Sequence, residues 1–158
     1  MQKTFQVNTI GSIHVEHGTF FIKVNEAYKK GLTSIDGFSH LQIVWWGNLF
    51  DAPEHRKQLI AKKPYKTSPE KVGVFATRSQ FRPNPVLITT IFVENIDFDK
   101  GIIYTPYIDT EDNTPLLDIK PYHLYERVES CDVPEWCSHW PAWYEEAANF
   151  DWEKEFNF

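Results

Sequence analysis

Cysteine and long apolar runs are both scarce in this chain of 158 residues. Its two cysteines, Cys131 and Cys137, are too few for the disulfide framework that stabilises many small secreted domains. No apolar run approaches the roughly 20 residues of a membrane-spanning helix. Residues 1–11 also lack the basic cap and apolar core of a signal peptide. We therefore expect a single cytoplasmic domain with reduced thiols and no membrane partner.

Positive charge is also in short supply, since 16 Lys and Arg residues against 22 Asp and Glu residues give a net charge of −6. This balance argues against general attraction to phosphate, and we expect no DNA partner. The distribution is uneven, however. Residues 56–82 hold eight bases and one acid (net +7), whereas residues 126–158 hold nine acids and two bases (net −7). The basic segment is either a solvated lysine-rich surface or a phosphate-binding surface.

A metal site is not expected from the cysteines. Cys131, Cys137 and His139 have the spacing C-x5-C-x-H, which matches no standard zinc pattern. A fourth ligand would have to come from elsewhere, such as His123 or Asp132. We therefore predict ordinary thiols and no metal.

The chain is rich in large apolar side chains, with 42% hydrophobic and 16% aromatic residues. Short β-branched and aromatic runs between turns predict strands. These runs lie at residues 5–9 with 13–15, 19–24, 41–47, 72–77, 86–93, 101–108 and 116–119. Helical signals are fewer, at residues 25–30, 53–61 and 141–156. The pattern predicts a mainly β fold: a single compact β-barrel of about six to eight strands with a few short helices and a C-terminal helix. Its expected parts are a barrel domain over residues 1–125 and an acidic, aromatic tail over residues 126–158 that packs on the barrel.

Residues 73–85 (GVFATRSQFRPNP) are the most informative stretch. Pro83 and Pro85 stiffen the backbone on which Arg82 and Asn84 sit. Arginines on a preorganised loop suit a carboxylate or a phosphate, and Phe81 could stack on a base. The alternative is a proline-stiffened turn whose arginines pair with nearby carboxylates.

This stretch resembles the signature of the TrmO/TsaA-like (YaeB/VirR-type) family. Three other stretches agree with it in order: Ile10-Gly11, FSHL at residues 38–41, and DNTPLLDIKPY at residues 112–122. The resemblance covers residues 5–122. It implies a β-barrel that works as a homodimer and binds S-adenosyl-L-methionine near the subunit boundary. It also implies methyl transfer to N6 of threonylcarbamoyladenosine beside the tRNA anticodon.

Site residues follow from the resemblance together with side-chain chemistry. The residues expected to bind the methyl donor are Arg78, Ser79, Asn48, Leu116, Leu117 and Asp118. Those expected to contact RNA or substrate are Phe81, Arg82, Asn84, Lys120, Tyr122, Lys62 and Lys63. Asp118 and His40 are the catalytic candidates. His40 would be a general base, and the alternative is a histidine that only satisfies backbone groups.

The sequence departs from the family pattern at three places where the donor is expected. Residues 13–24 lack the Pro-Arg-Gln motif that the family carries after its first strand. Gly47-Asn48 replaces an aromatic residue followed by His, and Val86-Leu87 replaces Ile-Gly. Two alternatives to a tRNA methyltransferase therefore stay open. One is a non-catalytic module that binds a nucleotide or S-adenosylmethionine, and the other is a methyltransferase acting on a small molecule.

Overall fold

The computed structural model describes residues 3–157 and has a mainly β architecture. Its strands are β1 (Gly11–Glu16), β2 (Thr19–Val24), β3 (His40–Trp46), β4 (Ile60–Lys62), β5 (Lys71–Gly73), β6 (Val86–Phe92), β7 (Asn95–Asp97), β8 (Ile102–Thr105) and β9 (Thr114–Pro121). Seven of them form an antiparallel sheet in the order β6-β3-β9-β1-β2-β8-β7, and β4 pairs with β5 in a separate hairpin. The mainly β fold predicted from the sequence is confirmed.

Helical segments are short. One-turn α-helices are α1 (Pro53–Arg56) and α2 (Tyr144–Ala147). The 3-10 segments are Glu26–Leu32, Asn48–Phe50, Val74–Ala76, Leu124–Glu126, Glu135–Cys137 and Trp152–Lys154. Within residues 3–157, no helix is both long and apolar enough to cross a membrane.

The large sheet is strongly curled. Only Val93 and Glu94 join its two edge strands, β6 and β7, so the facing ends of these strands lie no more than about 11 Å apart. Seven strands laid flat would hold their edges about 29 Å apart. At the corner, the Val93 amide donates to the carbonyl of Ser39 (2.8 Å) and the Glu94 amide to that of Tyr104 (3.0 Å). The sheet therefore bends round on itself and encloses the core.

The core follows from strict alternation along the strands. In β3, Leu41, Ile43 and Trp45 are buried, whereas the residues between them are half-exposed. Successive side chains of a strand point to opposite faces, so the odd-numbered residues of β3 face the core. The main apolar cluster continues this face with Ile13, Ile22, Val24, Leu32, Ile91, Ile103, Ile108 and Leu116.

Close backbone contact explains the glycine that opens β1. Gly11 pairs with Val24 of β2 and with Leu116 of β9. A Cβ atom at this position would lie 2.0 Å from the carbonyl oxygen of Lys23 and 3.1 Å from the Cα of Val24. Both contacts are with backbone, which cannot move aside without breaking the ladder. Gly11 therefore permits the three strands to approach one another.

Several predicted elements differ from the observed ones. The helix predicted over residues 53–61 ends at Arg56, and its last residues begin β4 instead. The strand predicted over residues 72–77 ends at Gly73 and becomes a 3-10 turn. Residues 5–9 are exposed and form no strand, because no neighbouring strand pairs with them. The C-terminal helix is reduced to α2 and the Trp152–Lys154 turn, since the aromatic side chains of the tail pack from several directions rather than along one stripe.

The tail packs mainly on the β4–β5 hairpin. The Lys66 amide donates to the carbonyl of Glu155 (2.9 Å), and the Thr67 hydroxyl donates to that of Trp136 (2.7 Å). Tyr65 is 9% exposed and stacks on Trp136, with ring centroids 5.4 Å apart. Trp140 meets the Tyr65 ring edge-on at 4.8 Å. The hairpin and the tail thus share an aromatic cluster separate from the core of the large sheet.

Replacing Gly11 by alanine is expected to lower the free energy of unfolding by about 1–3 kcal/mol, because the added methyl group overpacks a backbone contact. Chemical denaturation followed by tryptophan fluorescence measures this change. The matched control is Gly73→Ala, since a Cβ at Gly73 meets nothing within 4 Å. Equal stabilities for the two variants would contradict the close-contact explanation.

Candidate functional site

The C-terminal end of β3 brings together the loop and strand that carry most of the predicted donor-binding residues. Residues 77–85, called the proline loop below, return to the sheet where the Gly47 amide donates to the Pro85 carbonyl (2.8 Å). On the other side of β3, β9 runs antiparallel, with Asp118 opposite Val44. Val44 is also opposite Ile88 of β6. Ile88, Val44 and Asp118 therefore lie side by side on the adjacent strands β6, β3 and β9.

The β3–β9 pairing contains an irregularity inside the predicted site. Trp45 lies opposite Leu116 and Val44 opposite Asp118, so Leu117 has no register partner on β3. Such bulges bend a strand and redirect its side chains, and they are frequent beside active sites. As a result, Leu116 points into the core whereas Asp118 shares the outer face with Val44. The family-like segment Leu116–Asp118 therefore presents an irregular backbone edge and a carboxylate.

Arg82 is turned into the protein and holds the proline loop together. Its guanidinium is part-buried and donates to the carbonyls of Val74 (2.8 Å) and Thr77 (2.7 Å). The Thr77 hydroxyl donates to the Val74 carbonyl (2.8 Å) and accepts the Ser79 amide (3.3 Å). An arginine committed to two carbonyls has little freedom to reach a phosphate. The predicted RNA contact of Arg82 is therefore disfavoured relative to a structural role.

Phe81 and Asn84 are also engaged within the protein. The Phe81 ring lies 4.6 Å from Phe50 and 5.1 Å from His55, measured between ring centroids. Arg56 donates to the carbonyl of Pro83 (2.8 Å) and to Oδ1 of Asn84 (3.3 Å). These contacts tie the proline loop to the segment that follows β3. Stacking of Phe81 on a base stays a prediction, and only part of the ring is exposed for it.

Arg78 remains available at the surface. It is exposed, and its guanidinium donates one hydrogen bond to the carbonyl of Ile88 on β6. Ile88 and Asp118 flank Val44, so their backbones lie about 10 Å apart across two strand spacings. Asp118 pairs with Lys120 at 2.7 Å, and this hydrogen bond raises the pKa of the Lys120 ammonium. A cation and an ion-paired carboxylate therefore flank one open sheet face.

The departures from the family pattern at residues 47 and 87 compensate for each other. Gly47 is buried, and a Cβ there would lie 3.0 Å from Cδ1 of Leu87 and 2.8 Å from Oε1 of Gln80. The space that a side chain at residue 47 would need is filled by Leu87 and Gln80. Asn48 follows at the surface and begins the Asn48–Phe50 turn. In this chain, Leu87 of β6 and Gln80 of the proline loop therefore fill the space beside residue 47.

His40 lies at the opposite end of β3 from the proline loop. Val44 lies four positions further along the strand, which corresponds to a distance of about 13 Å. Its Nδ1 is 2.9 Å from the Ser39 hydroxyl, and its ring packs edge-on against Phe92 and Tyr144. An open cavity of about 370 Å³ lies beside it, lined by Gly37–Ser39 and Val93. The structure therefore does not bring the two predicted catalytic residues, His40 and Asp118, together.

The basic residues of the β4–β5 hairpin differ in their neighbours. Lys62 lies opposite Lys71 on the β4–β5 hairpin, and Lys63 pairs with Glu70 at 3.2 Å. Lys66 lies close enough to the tail to help lower the pKa values of Asp151 and Glu155, whose main hydrogen-bond partners are Lys154 and His139. Tyr122 anchors the end of β9 by donating its amide to the His40 carbonyl (3.1 Å). Part of the local positive charge is therefore neutralised within the chain.

Two supporting residues went unrecognised in the sequence. Arg56 contacts the proline loop 27 positions away, and Asp51 accepts the Trp46 indole N–H (2.9 Å). Arg56 also lies over the Trp46 ring, 5.7 Å from its centroid. No local pattern signals the contact of Arg56 because its partner Pro83 lies on a distant loop. Two of the metal ligands considered from the sequence have partners of their own: the Cys137 thiol donates to the Pro134 carbonyl, and His139 pairs with Glu155.

Comparison with known proteins identifies the family of the chain. A family model described as the tRNA-methyltransferase O N-terminal domain matches residues 6–127, which include β3, the proline loop and β9. The chain belongs to this family. A probable S-adenosyl-L-methionine-binding protein of Pyrococcus horikoshii is 35% identical over 120 residues, covering 75% of this chain and 82% of that protein.

Other family members are longer enzymes. A tRNA (adenine(37)-N6)-methyltransferase of Eikenella corrodens is 37% identical over 78 residues, which cover 49% of this chain and 44% of that enzyme. The mouse enzyme of the same description is 35% identical over 91 residues, which cover 58% of this chain and 20% of that protein. This chain therefore corresponds to part of each of these methyltransferases.

Solved structures support the fold. Two crystal structures of TrmO, the second from Pseudomonas aeruginosa, match with TM-scores of 0.64 and 0.60 at 23% and 22% identity. They cover 83% and 82% of this chain, and the matches span 64% and 62% of those chains. At this level of identity the likeness establishes the shared architecture.

Replacing Arg82 by methionine is expected to lower the free energy of unfolding by about 1.5–3 kcal/mol, because two charge-assisted hydrogen bonds inside the proline loop are lost. The loss should also speed hydrogen exchange at the Ser79 and Phe81 amides, which bond within the loop. The matched control is Arg78→Met at the exposed arginine. A loop role for Arg82 is wrong if both variants have the same stability and the same exchange rates.

Proposed function

We propose that this protein is an S-adenosyl-L-methionine-dependent methyltransferase that methylates a modified adenosine in tRNA. The observation that carries the proposal is the placement of Arg78 and Leu116–Asp118 on opposite sides of the C-terminal part of β3, in a chain of the tRNA-methyltransferase O family. The names of the relatives supply the donor and the acceptor. The proposed donor-binding set is Arg78, Ser79, Asn48, Leu116, Leu117 and Asp118.

The chemical needs of the donor match these groups. S-adenosylmethionine has a carboxylate that the exposed guanidinium of Arg78 can bind, and hydroxyl and ammonium groups that suit Asp118. The bulged backbone at Leu117 offers carbonyl and amide groups for an adenine edge. These groups are held on paired strands and on a loop with internal hydrogen bonds. Little reorganisation is then needed when the donor binds.

Methyl transfer requires alignment more than acid–base chemistry. The bond between the methyl carbon and the sulfonium breaks as the new bond to N6 forms, and N6 then loses a proton. Asp118 is the better proton acceptor of the two candidates because it shares the face with Arg78, whereas His40 lies at the far end of β3. We assign His40 a supporting position, packed between Phe92 and Tyr144.

The tRNA acceptor depends on surfaces beyond the donor site. Arg82 is internal and Lys66 lies against the acidic tail, so Lys62, Lys71 and Lys57 are the exposed bases left for phosphate contact. Lys120, which pairs with Asp118, and the part-exposed ring of Phe81 remain in the proposed acceptor set. Tyr122 also remains in it, although it lies beside His40 at the far end of β3. A tRNA acceptor would place the activity in the cytoplasm.

We further propose that the working unit is a homodimer. The outer face of the edge strand β6 exposes Val86 (37%), Ile88 (47%) and Phe92 (42%) directly beside Arg78. A second copy covering this face would remove apolar surface from water and would enclose a donor site that lies on an open sheet face. Sedimentation equilibrium measures the mass in solution, and a monomer at all concentrations contradicts this part of the proposal.

Calorimetric titration with S-adenosylmethionine and S-adenosylhomocysteine tests the donor site. We expect saturable binding that Arg78→Ala and Asp118→Asn each weaken by about 10–100-fold, because each removes a charge-assisted contact. Arg127→Ala is the matched control, since Arg127 is exposed and outside the site. Absence of binding to both compounds would contradict the methyltransferase and favour the non-catalytic module.

The acceptor is tested by charge reversal on the hairpin. Lys62 and Lys71 are opposite each other on adjacent strands, so Lys62→Glu with Lys71→Glu reverses one patch. We expect tRNA affinity to fall and its salt dependence to weaken by about one to two in slope. The matched control, Lys23→Glu with Lys30→Glu, makes the same change in net charge on β2 and its following turn. Equal effects of the two pairs, with donor binding intact, would favour a small-molecule acceptor.

A further inference from the structure

A second group of reactive side chains lies where the β1–β2 hairpin meets the chain entering β9. Nδ1 of His14 lies 3.2 Å from Oδ1 of Asp112 and 3.7 Å from Oε1 of Glu16. In the described range 3–157, this is the one group of three or more His, Cys, Asp or Glu residues whose ligand atoms all lie within 4.8 Å of one another. None of its members belongs to the proposed donor or acceptor sites.

Backbone structure places the three side chains on one side of β1. His14 and Glu16 are two residues apart in the strand, so they share its outer face. Asp112 comes from the loop before β9, and its Oδ1 also accepts the amide of Val15 (3.1 Å). This hydrogen bond, helped by His14, holds the pKa of Asp112 below its ordinary value. The hydrogen bond to Val15 therefore anchors the carboxylate beside the imidazole.

The His14 ring is held from behind. Its Nε2 lies 2.7 Å from the Ser12 hydroxyl, and the ring stacks on Phe21 with centroids 4.9 Å apart and planes 17° apart. Both contacts direct Nδ1 toward the two carboxylates. A hydrogen bond on the remote ring nitrogen is the usual way in which proteins orient a metal-binding histidine.

The ligand spacing suits a metal ion. Two ligands bound at about 2.1 Å to one tetrahedral or octahedral ion are themselves about 3–3.5 Å apart. The separations of 3.2 Å and 3.7 Å from His14 Nδ1 to the carboxylates need only small side-chain movement to reach that range. Glu16 and Asp112 have side chains that are 56% and 54% exposed, so an ion could enter from solvent and keep water in its remaining positions.

We propose that His14, Glu16 and Asp112 bind one divalent transition-metal ion of the zinc class. Nδ1 of His14 and one oxygen from each carboxylate are the ligands, with Ser12 orienting the imidazole. The nitrogen ligand favours zinc over magnesium or calcium, which prefer oxygen ligands alone. The sequence gives no sign of this site because Asp112 lies 98 positions from His14.

The test is calorimetric titration of the full chain, freed of any affinity tag, with zinc chloride. We expect one saturable site per chain. His14→Gln and Asp112→Asn should each weaken zinc binding by about 10–100-fold, as is usual for groups in or directly behind a metal site. Asp112→Asn keeps an oxygen that can accept the Val15 amide, so it separates loss of a ligand from loss of the local fold. Circular dichroism confirms that both variants are folded.

Two control variants test whether zinc binds at another place on the chain. His139 pairs with Glu155 at 2.9 Å without a third ligand, and Cys131 is an exposed thiol. His139→Gln and Cys131→Ser should both leave zinc affinity and stoichiometry unchanged. The proposal is overturned if no saturable binding occurs. It is equally overturned if either control abolishes binding while His14→Gln does not.

Discussion

The pairing of β3 with two neighbours at once is the constraint on which the rest of the structure depends. Its inward face supplies Leu41, Ile43 and Trp45 to the core, and its edges bond β6 and β9. A slip of one residue on either side would turn the core face outward and separate Ile88, Val44 and Asp118. The same register that buries the apolar side chains therefore also assembles the candidate donor site.

Features with a local signal were predictable from the sequence, and features made by distant contacts were not. Short apolar runs predicted all of the strands within residues 3–157 except β4 and β7, and the paired prolines predicted a stiff loop at residues 77–85. Single-sequence patterns did not show that Arg82 points inward, because its partners are carbonyls without a sequence signature. The helix predicted over residues 141–156 is reduced to α2 and the Trp152–Lys154 turn for a related reason. The spacing of its aromatic residues suits a helical stripe, but Trp152 packs against Trp140 and Phe156 packs against Tyr65 of the hairpin.

The sequence did not distinguish the environments of the two arginines in the proline loop. The resemblance assigned Arg78 and Asp118 to the donor and Arg82 to RNA, and the family match includes all three residues. Only the fold shows that one arginine is exposed on a sheet face and the other is a structural brace. Arg78 is exposed, whereas Arg82 lies where the loop folds back over the carbonyls of Val74 and Thr77. Two arginines of the same sequence motif therefore have different surroundings.

The opposite charges of the hairpin segment and the tail have a consequence for evolution. The tail docks through main-chain bonds and an aromatic cluster around Tyr65, with its own acids set beside Lys66. That cluster has no member in the apolar core of the sheet, so substitutions within it can accumulate without repacking the core. Tyr144 on His40 and Arg82 on Val74 nevertheless join the tail and the hairpin to the two ends of β3, so these positions are the ones at which such divergence is constrained.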